Sequence, residues 1–105
     1  MTDPETILAA MRDAAPKLRG LGYRVRFDLL DAGQSYLLDG TTNPVEVGAS
    51  EADAAADTVL AMTSDNLAKL MAGKLSPMLA FATGKLKVEG SKGAALKLAG
   101  MLDED

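Results

Sequence analysis

The sequence predicts an α+β domain in which helices cover mainly one face of a mixed five-stranded sheet. Two observations carry this prediction. Segments with the apolar period of a helix alternate with segments of period two, in the order helix, three strands, crossover, strand, one or two helices, strand and helix. The 105 residues also contain no second hydrophobic block behind a linker, so residues 1–105 are expected to form a single domain.

The first helix is predicted to begin at Asp3, which can cap free N–H groups, with Pro4 in its first turn. Gly20 and Gly22 end the pattern. Between these points, apolar residues at helical spacing form one stripe that faces a core: Ile7, Leu8, Met11, Ala15 and Leu18.

A three-strand meander is predicted to follow. Apolar and polar residues alternate over residues 23–30, which indicates the first strand. A turn at residues 31–34 leads into a second strand at 35–38, and a reversal at Asp39-Gly40 leads to a short third strand around 45–47. Residues 49–57 are rich in Ala, Glu and Asp without a wide apolar stripe, so we expect a crossing loop, with or without a turn of helix.

The second half predicts a fourth strand over residues 58–62 and a helix that is capped within residues 63–65 and ends before Gly73. Ser76-Pro77 opens another short helix, and the last strand follows over residues 85–89. Ser91 can cap a terminal helix whose apolar side chains recur at i, i+3, i+4 and i+7: Ala95, Leu98, Ala99 and Leu102.

Composition excludes several classes of function. The chain has no His and no Cys, so His- or Cys-dependent catalytic groups and nearly all zinc sites are excluded; no catalytic residue, metal or cofactor is expected. The net charge of −4 opposes nucleic-acid binding. Without cysteine, a membrane-spanning run or a secretion signal, the chain is expected to be cytoplasmic.

Four polar residues are candidates for contact with an anionic group. Ser91 and Lys92 stand at the start of the terminal helix, where free backbone N–H groups attract negative charge; capping alone is the alternative interpretation. Arg24 and Arg26 project from one face of the first strand and can pair with a carboxylate or phosphate. The alternative is that they only make that face soluble. The acidic residues of 51–57 lack the pattern of a calcium loop.

The apolar inventory permits a cavity. Sixteen Leu, eighteen Ala and six Met accompany only four aromatic residues, so the core consists of small and flexible groups. Methionine adapts to ligands of variable shape, and four of the six lie in the later half of the chain, at Met62, Met71, Met78 and Met101. Close packing without any ligand space is the alternative, because apolar residues usually pack to crystal-like density.

Residues 70–77 (LMAGKLSP), 80–90 (AFATGKLKVEG) and 95–98 (ALKL) together resemble the signature of the sterol carrier protein 2 family. The resemblance implies an α+β fold whose five-stranded sheet and helices enclose an apolar tunnel. It also implies reversible, non-covalent binding and intracellular transfer of a fatty acid, acyl-coenzyme A, phospholipid or sterol-like lipid, and no enzymatic activity.

Ten residues are candidates for the tunnel wall, with ordinary core packing as the alternative for each. Five match the family signature: Met71, Leu75, Phe81, Leu86 and Leu98. Five more are added on periodicity alone: Phe27, Leu29, Met78, Met101 and Leu102.

The resemblance also sets expectations about partners. We expect a lipid or fatty acyl ligand, transient membrane contact, a partner enzyme for the alternative role of lipid-presenting accessory module, and a monomer or weak homodimer. Residues 103–105 (Asp-Glu-Asp) depart from the small-basic-leucine ending of peroxisomal relatives, which argues against peroxisomal delivery and a sterol ligand. The remaining alternatives are an enzyme that uses carboxylates or lysine, and a structural protein whose cavity has collapsed.

Overall fold

A five-stranded mixed sheet forms the centre of the computed structural model, which describes residues 3–102. The strands are β1 (Arg24–Leu29), β2 (Gln34–Asp39), β3 (Glu46–Ser50), β4 (Thr58–Met62) and β5 (Lys87–Gly90). Their order across the sheet is β3-β2-β1-β4-β5. β1 and β4 are parallel, with Phe27 opposite Leu60, and every other neighbouring pair is antiparallel. The predicted α+β class and mixed five-stranded sheet are confirmed.

In the described part of the chain, four α-helices accompany the sheet: α1 (Pro4–Ala14), α2 (Ser64–Met71), α3 (Pro77–Ala82) and α4 (Lys92–Leu102). Each follows a residue whose side chain accepts a hydrogen bond from a backbone N–H in the first turn: Asp3, Thr63, Ser76 and Ser91. These contacts satisfy donors that the helix leaves free, which explains where each helix begins. Within residues 3–102, none of the helices is long and apolar enough to cross a bilayer.

Three element boundaries differ from the sequence prediction by more than one residue. The first α-helix ends at Ala14, and residues Ala15–Leu18 form a 3-10 turn, because Pro16 has no N–H to donate to the helix. β3 continues to Ser50, which pairs with Ser35, so the crossing loop begins after it. β5 begins at Lys87, because the N–H groups of residues 85 and 86 both bond to the carbonyl of Ala80 and close the end of α3. The acidic residues 103–105 lie outside the described residues.

One face of the sheet is buried, and the other is more exposed to solvent. Along β1, Val25, Phe27 and Leu29 are buried while Arg24 is exposed, since successive strand side chains point to opposite faces. α1 packs against β3 and α2, whereas α4 packs against β4, β5 and α3. The helices thus divide the inner face of the sheet into an α1 half and an α4 half, and the second half holds the candidate site.

A polar contact fixes the start of α2 to the turn after β1. The Asp31 carboxylate accepts hydrogen bonds from the backbone N–H of Ser64 at 2.9 Å and from its hydroxyl at 2.7 Å. Both bonds favour the ionised carboxylate, so they lower the pKa of Asp31 below its usual value of 3.8. This contact holds α2, and with it Leu70, over the inner face of the sheet.

Candidate functional site

A cavity of about 220 Å³ lies between α3, α4 and the inner face of β4 and β5, and it opens to solvent. Twelve of its thirteen lining residues are apolar, and Lys92 is the one charged member. The apolar lining comprises Leu60, Leu70, Pro77, Met78, Phe81, Leu86, Val88, Ala95, Leu96, Leu98, Ala99 and Leu102. Over residues 3–102 the structure shows a pocket with a mouth, and it does not show the tunnel that the family resemblance implies.

The floor of the cavity comes from the sheet, and one wall comes from α4. Leu60 of β4 stands opposite Val88 of β5 in the antiparallel register, so both side chains reach the same face. On α4, Ala95, Leu98 and Ala99 lie one turn apart on the stripe that faces the sheet. The two alanines fill little volume there, which leaves space between helix and sheet.

The cavity has a closed bottom and an apolar rim. Leu60, Leu70 and Leu98 are buried at its base. Met78 and Phe81 of α3 and Leu96 of α4 line the same cavity but remain more than half exposed to solvent. A hydrocarbon chain that enters between these helices therefore passes from an exposed apolar rim to a buried apolar base.

The structure divides the ten predicted wall residues into two groups. Five line the cavity: Met78, Phe81, Leu86, Leu98 and Leu102. The other five do not: Phe27, Leu29 and Met71 are buried in the closed core, and Leu75 and Met101 are partly buried against that core. Phe27 and Leu29 point to the inner face as predicted from alternation, but the structure places them in the packed core and away from the cavity.

The predicted head-group residues also separate. Lys92 lines the cavity, and Ser91 beside it caps α4 by accepting a hydrogen bond from the Ala94 N–H at 3.1 Å. Arg24 and Arg26 lie on the opposite face of the sheet. There Arg24 pairs with Asp39 at 3.3 Å, while Arg26 pairs with Asp28 at 3.0 Å and donates to the Ala54 carbonyl at 2.8 Å. Their guanidinium groups therefore do not reach the cavity.

Seven lining residues are absent from the predicted wall: Leu60, Leu70, Pro77, Val88, Ala95, Leu96 and Ala99. For two of them the signal is in the sequence, because Ala95 and Ala99 belong to the apolar stripe of the terminal helix. Leu60 and Val88 could be predicted as lining residues only from the register of β4 against β5, and the sequence alone does not give that register.

Ionisable side chains are sparse in the cavity formed by the described residues. Lys92 is its one ionisable side chain, and no group of three or more Asp or Glu side chains that could hold a metal ion occurs within residues 3–102. A second depression of about 450 Å³ lies beside β3, but Arg12, Arg19 and Asn43 in its walls make it less suited to hydrocarbon.

Comparison with protein families gives one match over nearly the whole chain. The description of that family is "SCP-2 sterol transfer family", and its model matches residues 5–103. Among curated proteins, hydroxysteroid dehydrogenase-like protein 2 of Homo sapiens is 38% identical over 72 residues. The match covers 69% of this chain but only 17% of that relative, so this chain corresponds to a small part of a much longer protein.

Solved structures share the fold. Sterol carrier protein 2 from Yarrowia lipolytica, in its apo form, has a TM-score of 0.66 and 28% identity, with 93% of this chain and 84% of that chain covered. Sterol carrier protein-2 from Aedes aegypti, in complex with the C16 fatty acid palmitate, has a TM-score of 0.74 and 20% identity, with 97% and 96% covered. At 20% identity, the second comparison shows the fold.

Proposed function

Because this chain belongs to the SCP-2 sterol transfer family, we propose that it reversibly binds the hydrocarbon part of a lipid in its cavity and transfers that lipid within the cell. The observation that carries the proposal is a cavity of about 220 Å³ with twelve apolar residues among thirteen. The ligand class is a fatty acid, acyl-coenzyme A, phospholipid or sterol-like lipid. The palmitate bound by the Aedes aegypti protein of the same fold supports a fatty acyl chain.

Binding follows from the transfer of hydrocarbon out of water. Each buried methylene group contributes about 0.8 kcal/mol, and no covalent step is needed. Lys92 lines the cavity and supplies a positive charge that attracts an anionic head group, while the apolar residues around it accept the chain. The cavity has no arrangement of polar groups that would select one lipid head group. The proposed ligand is therefore defined by its acyl chain, and its head group is left open.

The volume of the cavity limits how much of a chain it encloses. A cavity of about 150 Å³ holds one benzene molecule in an engineered protein, so by proportion 220 Å³ holds roughly nine carbons. Carbons beyond that number lie in the mouth beside Met78 and Phe81. Gly73 follows α2 and Gly84 follows α3, both in the left-handed conformation at φ of +75° and +78°, and they allow the backbone to turn sharply after each helix.

A series of saturated fatty acids tests the proposal. We expect the dissociation constant to fall about fourfold per added methylene up to roughly nine carbons, and to change much less beyond that length. Displacement of a fluorescent fatty acid measures these constants. The chain contains no tryptophan, so tryptophan fluorescence adds no background to the measurement. The proposal fails if no fatty acid displaces the probe, or if affinity is independent of chain length.

A lipid-presenting accessory module is the second candidate function. It is favoured by the much longer relatives named hydroxysteroid dehydrogenase-like, of which the matched segment covers 17%. In that role the loaded domain raises the turnover of a separate lipid-modifying enzyme, and the empty domain does not. Equal turnover with loaded and empty domain would contradict this role and leave transfer as the function.

A further inference from the structure

Strand β3 forms an edge of the sheet that has no partner on its outer side. It pairs with β2 alone, and its backbone makes no hydrogen bond outside that ladder within residues 3–102. Lysine, proline or a bulge usually protects an edge, but the middle of β3 is Val47-Gly48-Ala49 in continuous register with β2. Nothing lies within 4 Å of a Cβ added to Gly48. The edge is therefore accessible to another extended chain.

A groove beside this edge carries positive charge. The depression of about 450 Å³ lies between β3, the end of α1 and the 3-10 turn after it, with Val47 and Ala15 among its apolar lining. Arg12 and Arg19 line the same groove and are exposed. Neither arginine side chain forms an ion pair or a hydrogen bond in the described part of the chain. Both guanidinium groups are therefore available to bind carboxylates.

The two faces of β3 differ in charge. Successive side chains of a strand point to opposite faces, so Val47 lies on the face of the groove and Glu46 lies on the other face. A strand that adds to β3 follows the same alternation. Its side chains meet Arg12 and Arg19 on the groove face and Glu46 on the other. A complementary strand thus carries acidic residues at every second position and no acidic residue between them.

We propose that β3 docks an extended acidic segment of another protein, which adds to the sheet as a sixth strand and places its carboxylates against Arg12 and Arg19. Backbone hydrogen bonds to β3 supply affinity, and the alternating carboxylates supply specificity. The local charge favours this partner although the whole chain has a net charge of −4, because residues 12–19 carry three basic residues and one acidic residue. β3 and β5 form opposite edges of the sheet, so docking neither uses the cavity nor requires a bound lipid.

Fluorescence polarisation with labelled peptides tests this inference on the full chain. The probe is a decapeptide in which glutamate and threonine alternate, so that all its glutamates lie on one face of an extended strand. The control peptide has the same composition, with its glutamates in one block. We expect the alternating peptide to bind at least about tenfold more tightly, because the block peptide directs about half of its glutamates to the face of Glu46.

Methylation of the peptide's backbone nitrogens shows whether the two chains pair as strands. Residues of a strand direct their N–H groups alternately to its two sides, so every second residue of the peptide donates towards β3. One version of the alternating peptide is N-methylated at each threonine, and another is N-methylated at each glutamate. One version should lose binding and the other should keep it, because the nitrogens of only one residue type face β3.

Arg12→Gln with Arg19→Gln should weaken binding of the alternating peptide by about tenfold, since each exposed ion pair contributes modestly. Lys74→Gln with Lys85→Gln is the matched control, because it removes the same charge from exposed positions on either side of α3. It should leave peptide binding within about twofold of the parent. None of these four side chains lines the candidate cavity, so displacement of the fatty acid probe should stay unchanged. Circular dichroism confirms that each variant is folded.

Three results would overturn the inference. The first is a parent protein that does not bind the alternating peptide. The second is equal binding of the alternating and block peptides, or an equal loss in the arginine and lysine variants, which would reflect attraction between total charges without strand pairing. The third is a dimer of the parent protein that the alternating peptide does not dissociate and that Arg12→Gln with Arg19→Gln does, which would assign the β3 edge to a second copy of this chain.

Discussion

Ala95→Phe is expected to abolish high-affinity uptake of fatty acids while leaving the domain folded. Ala95 lies on the wall that α4 contributes to the cavity, and it is only partly buried, so a larger side chain has space to occupy. The phenyl ring would displace about half of the roughly nine carbons that the cavity holds, at about 0.8 kcal/mol each. That is about 3.6 kcal/mol, so the dissociation constant for decanoate should rise by roughly 400-fold.

Probe displacement measures the predicted loss of affinity, and thermal unfolding shows whether the domain stays folded. The melting temperature should not fall, because the ring fills empty apolar space without replacing a packed side chain. Ala9→Phe is the matched control, on an exposed position of α1 outside the cavity, and it should leave affinity unchanged. Parent-like uptake by a folded Ala95→Phe protein would show that fatty acids bind somewhere else.

Gly90→Ala is expected to lower the free energy of unfolding by about 3 kcal/mol. Gly90 ends β5 with φ at +83°, and an added Cβ would lie 2.7 Å from the carbonyl oxygen of Asp57. That oxygen cannot move away easily, because it accepts a hydrogen bond from the Ser91 N–H at 2.8 Å. The substitution therefore strains the join between the sheet and α4, on which the cavity wall depends.

Gly84→Ala separates the cost of the left-handed backbone from the cost of contact with Asp57 in the lower free energy of unfolding. Gly84 has nearly the same φ, +78°, but nothing lies within 4 Å of the added Cβ. Its substitution should cost only the backbone penalty, about 1 kcal/mol. Urea denaturation of both variants measures the difference; equal losses would show that contact with Asp57 contributes nothing.

Much of the fold could be predicted from local physics. The strand predicted over residues 58–62 is β4 as observed. The predicted caps Asp3 and Ser91 are confirmed, and α3 begins after Ser76, where the sequence predicts that a short helix opens. Caps and period-two alternation depend on neighbours in sequence, which is why they could be predicted. The end of β3 could not, because Ala49 and Ser50 are polar or small and become strand only by pairing with β2.

The candidate site was less predictable, because a cavity is a property of side chains from distant elements. Alternation correctly assigns Phe27 and Leu29 to the inner face of the sheet, but it cannot distinguish packed core from cavity wall. Arg24 and Arg26 illustrate the same limit, since their strand positions place them on the face away from the cavity, paired with Asp39 and Asp28. Lys92 could be singled out from the sequence because it starts the terminal helix, and in the structure it lines the cavity.

Methyl NMR of the methionines tests most directly whether the cavity takes an acyl chain. With carbon-13-labelled methionine methyl groups, decanoate should shift the Met78 signal and show nuclear Overhauser contacts to it, because Met78 lines the cavity. Met11 and Met62 are buried in the closed core and should show no contact with the ligand. A Met78 signal that stays unchanged at saturating decanoate, or contacts to Met11 instead, would contradict the account.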